Sequence, residues 1–253
     1  MSRSVKHYAL AGTGFFLLLE AMLVAAILYW PNFRDNVNAV KALAPTQLLR
    51  ELVEGMSQEG VLAYVNAQHF FKGCNTMGVA ASVLFAINVV AGEAHRGTLE
   101  LLLSRPISRS RILLEKWVSG ALAVVIPIFL TSLTIPWLLT FVDETAPIGL
   151  VLLCAVHQSL FLLLIYTVAF FWSCLSSKPI NIAFAMLFVT TFEFAIYLVK
   201  DLTHWSIFRV VDIDDYSKIV HTGELPVGYT IGMSVAILVL ISASLAAFKR
   251  RSP

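Results

Sequence analysis

The sequence predicts an all-α, polytopic membrane protein with six transmembrane helices. Three observations carry this. Of its 253 residues, 58% are apolar and only 13% are charged, whereas a soluble domain is about 25% charged. The mean hydropathy is +0.80. The apolar residues also fall in six long blocks, and a helix needs roughly 20 such residues to cross a bilayer core about 30 Å thick. Membrane barrels show short alternating segments instead, so strands are not expected.

In chain order the expected spans are residues 8–30, 74–91, 117–142, 148–174, 179–199 and 226–248. Glu20 is the one charge in the first and Glu193 the one charge in the fifth; the other four carry none. The first block exceeds the 7–15-residue apolar core of a signal peptide, and no small-x-small cleavage site follows Trp30. An uncleaved anchor is expected. The remaining segments are outer loops 31–73 and 200–225 and a cytoplasmic loop 92–116. None is long enough to fold alone, so residues 1–253 read as a single transmembrane domain.

An even number of spans places both termini on one side. With that side in the cytoplasm, eleven Lys and Arg residues lie in short inner segments and seven in the longer outer loops. The positive-inside rule therefore orients both termini to the cytoplasm. The formal net charge of +2 hides this asymmetry. It also disfavours nucleic acid as a partner, which calls for a concentrated basic face. Cys74, Cys154 and Cys174 lie in apolar runs, so no disulfide framework is expected.

The cytoplasmic loop reads GEAHRGTLELLLSRPISRSRILLEK, Gly92 to Lys116. Thr98 can cap a short helix over Leu99–Ser104, which Pro106 ends. Leu99, Leu102 and Leu103 share one face of it. Ser108 can cap a second helix that leads into the third span. The pattern fits an amphipathic helix on the inner membrane surface, and equally a re-entry loop carrying positive-inside arginines.

Glu93, then Gly97-Thr98-Leu99-Glu100-Leu101-Leu102-Leu103, then Pro106, Ser108-Arg109 and Lys116 resemble the signature of ABC type-2 exporter permeases. The resemblance implies the transmembrane-domain architecture of that family, in which the segment between the second and third spans contains a coupling helix that docks on an ATP-binding subunit. On that basis Glu93, Arg96, Gly97, Thr98, Leu99, Glu100, Leu102, Leu103, Pro106 and Arg109 are the expected ATPase-coupling residues. Two departures accompany the match. The first span starts too early to leave room for a full amphipathic elbow helix, and the first outer loop exceeds the tight turn of polysaccharide and drug exporters. Longer first loops resemble branches that include permeases for maturation of periplasmic metalloenzymes.

No G-x-x-x-x-G-K-[ST] phosphate loop is present. The chain is therefore expected to have no ATPase site or cofactor of its own, with ATP and Mg held in a partner ATPase. The resemblance implies two permease chains, identical or related, and an ATPase dimer.

A carboxylate at the bilayer centre costs roughly 2.5–3.5 kcal/mol on insertion scales. In the resembled family the first, second and fifth spans lie near the dimer interface, so Glu20 and Glu193 are candidates for bordering a transport path or dimer seam. The alternative is a protonated carboxyl bonded to a neighbouring helix, with Asn88, Asn181, His157 or Gln158 as partners. Pro127 and Pro136 can kink the third span.

In the first outer loop, Pro45 to Ser57 reads as a helix capped by Thr46, with Leu48, Leu49, Leu52, Val53 and Met56 on one face. It either rests on the outer leaflet or serves as an external gate or dock for a partner protein. The second outer loop carries Asp212, Asp214 and Asp215 ahead of a short helix. An EF-hand spacing is absent, and His69, His204 and His221 are read as plain polar residues, so no metal site is expected.

Three functions remain in order of support. The first is the membrane subunit of an ATP-driven exporter in the cytoplasmic (inner) membrane. The second is a mechanotransmitting permease that works on an outer-face partner through loop 31–73. The third is a six-span membrane enzyme, which lacks His-Glu-x-x-His, Gly-x-Ser-x-Gly or paired intramembrane aspartates; no catalytic residue is assigned.

Overall fold

The computed structural model describes the backbone of residues 3–104, 107–199 and 201–250, and the side chains of all of these except 3–5, 7, 102 and 103. The chain is an all-α polytopic membrane protein, and among the described residues there is no strand. Six helices are long and apolar enough to cross a membrane: Tyr8–Asp35, Val61–Ile87, Arg109–Val142, Ile148–Leu175, Pro179–Tyr197 and Val227–Arg250.

Helix α1 (Arg3–Asp35) is followed by α2 (Val37–Leu43) and α3 (Gln47–Gln58). Thr46 caps α3 by accepting from the Leu49 N–H at 3.3 Å. Gly60, at φ 86, then turns the chain into α4 (Val61–Val65). A π-helical stretch, Asn66–Gly78, joins α4 to α5 (Val79–Ile87) without a break.

The second span thus differs from its expected start at Cys74: the helix begins at Val61. Asn66, His69 and Lys72 made the part upstream of Cys74 read as loop, yet Asn66 and His69 are buried in the bundle. His69 Nε2 pairs with the Thr131 hydroxyl at 3.1 Å. The Gln158 amide donates to Asn75 Oδ1 at 2.9 Å and accepts from the Tyr216 hydroxyl. Such bonds make buried polar groups tolerable.

After the second span follow α6 (Ala91–His95), α7 (Leu99–Leu103) and α8 (Arg109–Leu139). Both Pro127 and Pro136 lie within α8. Helix α9 (Ile148–Leu175) is the central strut, packed against α5, α8, α10 (Pro179–Tyr197) and α12 (Val227–Arg250). Gly120 on α8 admits Tyr166 of α9, whose ring occupies the space a Cβ would need. The Tyr166 hydroxyl donates to the Trp117 carbonyl at 3.1 Å.

The outer ends are tied by α11 (Ile213–Thr222), which Asp212 caps through the Ile213 N–H at 2.7 Å. Across the two outer loops, the Ser217 hydroxyl donates to Glu59 at 2.6 Å. Trp30 Nε1 donates to Glu144 at 2.9 Å, fastening the end of α1 to the α8–α9 turn.

Candidate functional site

The site is built where α5 ends. Val90 and Ala91, the N-cap and first residue of α6, present buried backbone N–H groups that have no carbonyl partner within the helix. Ser173 of α9 meets them: its hydroxyl oxygen accepts from the Val90 N–H at 3.2 Å and the Ala91 N–H at 2.9 Å. The same hydroxyl donates to the Ile87 carbonyl at 3.2 Å. A residue inside the fourth span therefore pins the elbow between the second span and the loop that leads to the third.

Helix α6 then ends in a Schellman turn. Gly97 takes φ 68, a left-handed conformation that glycine adopts without a Cβ penalty. Its N–H donates to the Ala94 carbonyl at 3.1 Å, and the Thr98 N–H donates to the Glu93 carbonyl at 2.9 Å. This is the physical content of the Gly97-Thr98 pair.

Thr98 departs from its expected role as a side-chain cap for α7, since it makes no cap bond there. Its hydroxyl turns back instead, donating to the Glu93 carboxylate. With α6 ended by a glycine, the following hydroxyl lies over the last turn rather than over the next helix.

Glu93 collects three partners. Besides Thr98, Lys116 Nζ of α8 lies 3.0 Å from its carboxylate and also donates to the Val89 carbonyl at 3.3 Å. Arg96 lies 3.7 Å away and is more exposed. Burial pushes the Glu93 carboxyl up, but the Thr98 bond, Lys116 and Arg96 outweigh that and hold it below the usual carboxylate range.

Leu99 is buried against the core, while Glu100 and Leu101 point away from it, Leu101 being 71% exposed. The side chains of Leu102 and Leu103, and the whole of Pro106, lie outside the described residues. Ser108 caps α8 as expected from its position, accepting from the Arg111 N–H at 3.3 Å. Arg109 donates to the Lys249 carbonyl at 3.2 Å, tying the loop to the end of α12. The arrangement is a short helix held on a stiff mount, with three transmembrane helices fixed to its base.

The intramembrane carboxylates lie apart from this site. Glu20 accepts from the Thr134 hydroxyl of α8 at 3.1 Å. Glu193 accepts from the Ile207 N–H at 3.0 Å, and its carbonyl accepts from Ser206 at 2.7 Å. None of the four expected partners is bonded to either carboxylate: Gln158 pairs with Asn75, His157 with the Val210 carbonyl at 2.8 Å, and the Asn88 amide donates to the Leu84 carbonyl at 3.0 Å. A hydroxyl and a backbone N–H take those places. Among the described residues no three His, Cys, Asp or Glu side chains converge to hold a metal ion.

A family model described as ABC-2 family transporter protein matches residues 13–204, spanning α1 to the second outer loop and the whole stapled segment. The chain belongs to the ABC-2 transporter family. It is thus a membrane permease subunit of an ABC transporter, and the ATPase is a separate chain. No curated protein matches the sequence.

Sequence reasoning missed Ser173, and it assigned no role to Lys116 beyond the signature. A lone serine in the run FFWSCL gives no signal, because its partners are backbone groups more than eighty positions upstream. Lys116 was legible as the last residue of the signature.

Proposed function

We propose that this ABC-2 permease exports a substrate across the cytoplasmic membrane, with Glu93–Arg109 as its coupling segment to the ATPase. Two permease chains, identical or related, pair with an ATPase dimer that holds ATP and Mg. Both termini face the cytoplasm. The observation that carries the reading is the combination of a stiff mount with an exposed tip. Glu93, Lys116, Ser173 and Arg109 fix the base to three spans, α8, α9 and α12, and Glu100, Leu101 and Ile107 project from it.

Closure of the ATPase pair pushes on α7. Because the base is bonded to α8 and α9 and continuous with α5, the push is delivered to the helices rather than absorbed in the loop. The permease interface then switches from inward-open to outward-open. Glu20 and Glu193 border the transport path or the dimer seam, where their partly exposed carboxylates face a second chain or water.

A second reading draws support from the joined outer loops. The Glu59–Ser217 bond makes loops 31–73 and 200–225 one folded surface. That surface suits a mechanotransmitter that drives an outer-face partner protein through loop 31–73, with no cargo crossing. Transport into inverted vesicles separates the two.

The coupling assignment is tested by co-purification. The ATPase is expected to co-purify with the wild-type permease and to be lost from Leu101→Glu, which adds charge to an exposed position without touching the core. Full retention of the ATPase by that variant overturns the assignment.

A further inference from the structure

The outer face holds a cavity of about 410 Å³ between α3 of the first outer loop and the segment from Tyr197 to α11. That volume lies within the range of small-ligand sites. Its lining carries Glu51, Glu59, Asp212 and Asp214 together with Arg209 and His204; Glu59 accepts from the Ser217 hydroxyl at 2.6 Å and lies 3.8 Å from His221. Arg209 is already bonded to Asp212, which also accepts from the Tyr197 hydroxyl at 2.5 Å. Asp214 is exposed and makes no hydrogen bond or ion pair among the described residues.

Asn66 supplies the second, independent observation. It lines the cavity, is only 1% exposed, and neither its amide oxygen nor its amide nitrogen has a partner. Buried amides left unpaired are rare, and each asks what it bonds to in the working molecule. Leu48, Leu52 and Met56 add apolar wall.

We propose that this cavity binds an organic cation: an ammonium or guanidinium group carried on a short apolar chain. The Asp214 carboxylate attracts the charge, the unpaired Asn66 oxygen accepts an N–H, and the apolar wall takes the alkyl part. A bare metal ion is the poorer match, because it would leave the apolar wall unused and the carboxylates do not converge on one point. The cation has two sources, a free amine or guanidine and a lysine or arginine side chain of an outer-face protein. Both present the same chemistry.

The site does not depend on the coupling assignment, so it is tested on the purified full-length permease in nanodiscs without ATPase. Titration calorimetry is run with hexylamine and agmatine, with a capped Leu-Lys-Leu peptide, and with hexanol and the acetyl-lysine peptide as neutral controls. The expected result is saturable binding of at least one cationic probe, with neither neutral control matching it. Asn66→Leu and Asp214→Asn are each expected to weaken it about tenfold, or about 1.4 kcal/mol. Asp214→Asn is a surface change that leaves folding intact. Binding of the small amines alone assigns the site to a free cation, and binding of the peptide alone to a protein side chain. No binding by any cationic probe, equal binding of the neutral controls, or unchanged affinity in Asp214→Asn overturns the proposal.

Discussion

The Lys116 ammonium of α8 lies 3.0 Å from the carboxylate of Glu93 in α6, and both side chains are largely withdrawn from water. This pair joins the N-terminal part of the third-span helix to the segment that follows the second. Breaking one side of a withdrawn pair leaves the other charge without compensation. Glu93→Gln is expected to lower the unfolding temperature of the purified permease and to reduce its coupling to the ATPase. Lys116→Met is expected to do the same, and the double variant to be less damaged than the sum, as a double-mutant cycle would record.

The pH dependence of that contribution has a defined sign. The Glu93 carboxyl is held below its usual range: burial raises it, while Thr98, Lys116 and Arg96 lower it by more. A depressed carboxylate contributes stability that is present above its unfolded pKa and lost as the pH falls through the folded value. The difference in unfolding temperature between wild type and Glu93→Gln is therefore expected at neutral pH and to shrink on acidification below the ordinary carboxylate range. A difference that grows toward acid would contradict the account.

Gly97 isolates backbone strain from crowding. At φ 68 it is left-handed, and a Cβ placed there meets no atom within 4 Å. Gly97→Ala is expected to cost about 1–2 kcal/mol, the usual left-handed penalty. Gly97→Asn is expected to cost less, since asparagine tolerates that region. Chemical-denaturant midpoints of the two variants check the order.

Ser173 is expected to be the most costly single hydroxyl around the elbow that follows the second span. Ser173→Ala leaves the buried Val90 and Ala91 N–H groups without an acceptor, a loss of about 1–3 kcal/mol for an unsatisfied group. Faster hydrogen exchange at Val90 and Ala91, with little change in the outer half of α9, is the expected signature.

The polar bonds within the spans explain which parts of the chain can be read from its sequence. Five spans follow from unbroken apolar runs. The second does so only from Cys74 on, because Asn66, His69 and Lys72 interrupt its upstream half, and a tertiary partner, Thr131, makes His69 acceptable inside a bundle. Thr46 and Ser108 were legible as caps because a cap bonds within three residues. Thr98 was misread because the local rule for a following helix lost to the Schellman turn of the preceding one. Glu93, Gly97 and Lys116 could be quoted from the signature, but the bond between Glu93 and Lys116 spans 23 positions. The outer cavity joins α3 to α11 across most of the chain, and no local pattern announces it.

Glu20 offers a further separation of structure from transport. Its bond to Thr134 at 3.1 Å has the hydroxyl as donor, and a glutamine oxygen accepts equally well. Glu20→Gln is expected to leave the unfolding temperature within the small range of neutral substitutions, while lowering transport if the carboxylate charge borders the path. Substrate flux measured beside thermal unfolding distinguishes these.

The most direct measurement of the central claim is ATPase stimulation in proteoliposomes that contain the permease and its ATPase subunit. Leu101 is 71% exposed at the tip of α7 and supports nothing in the core. The account predicts that Leu101→Glu abolishes stimulation while its unfolding temperature matches wild type. Full stimulation by a correctly folded Leu101→Glu permease would contradict it.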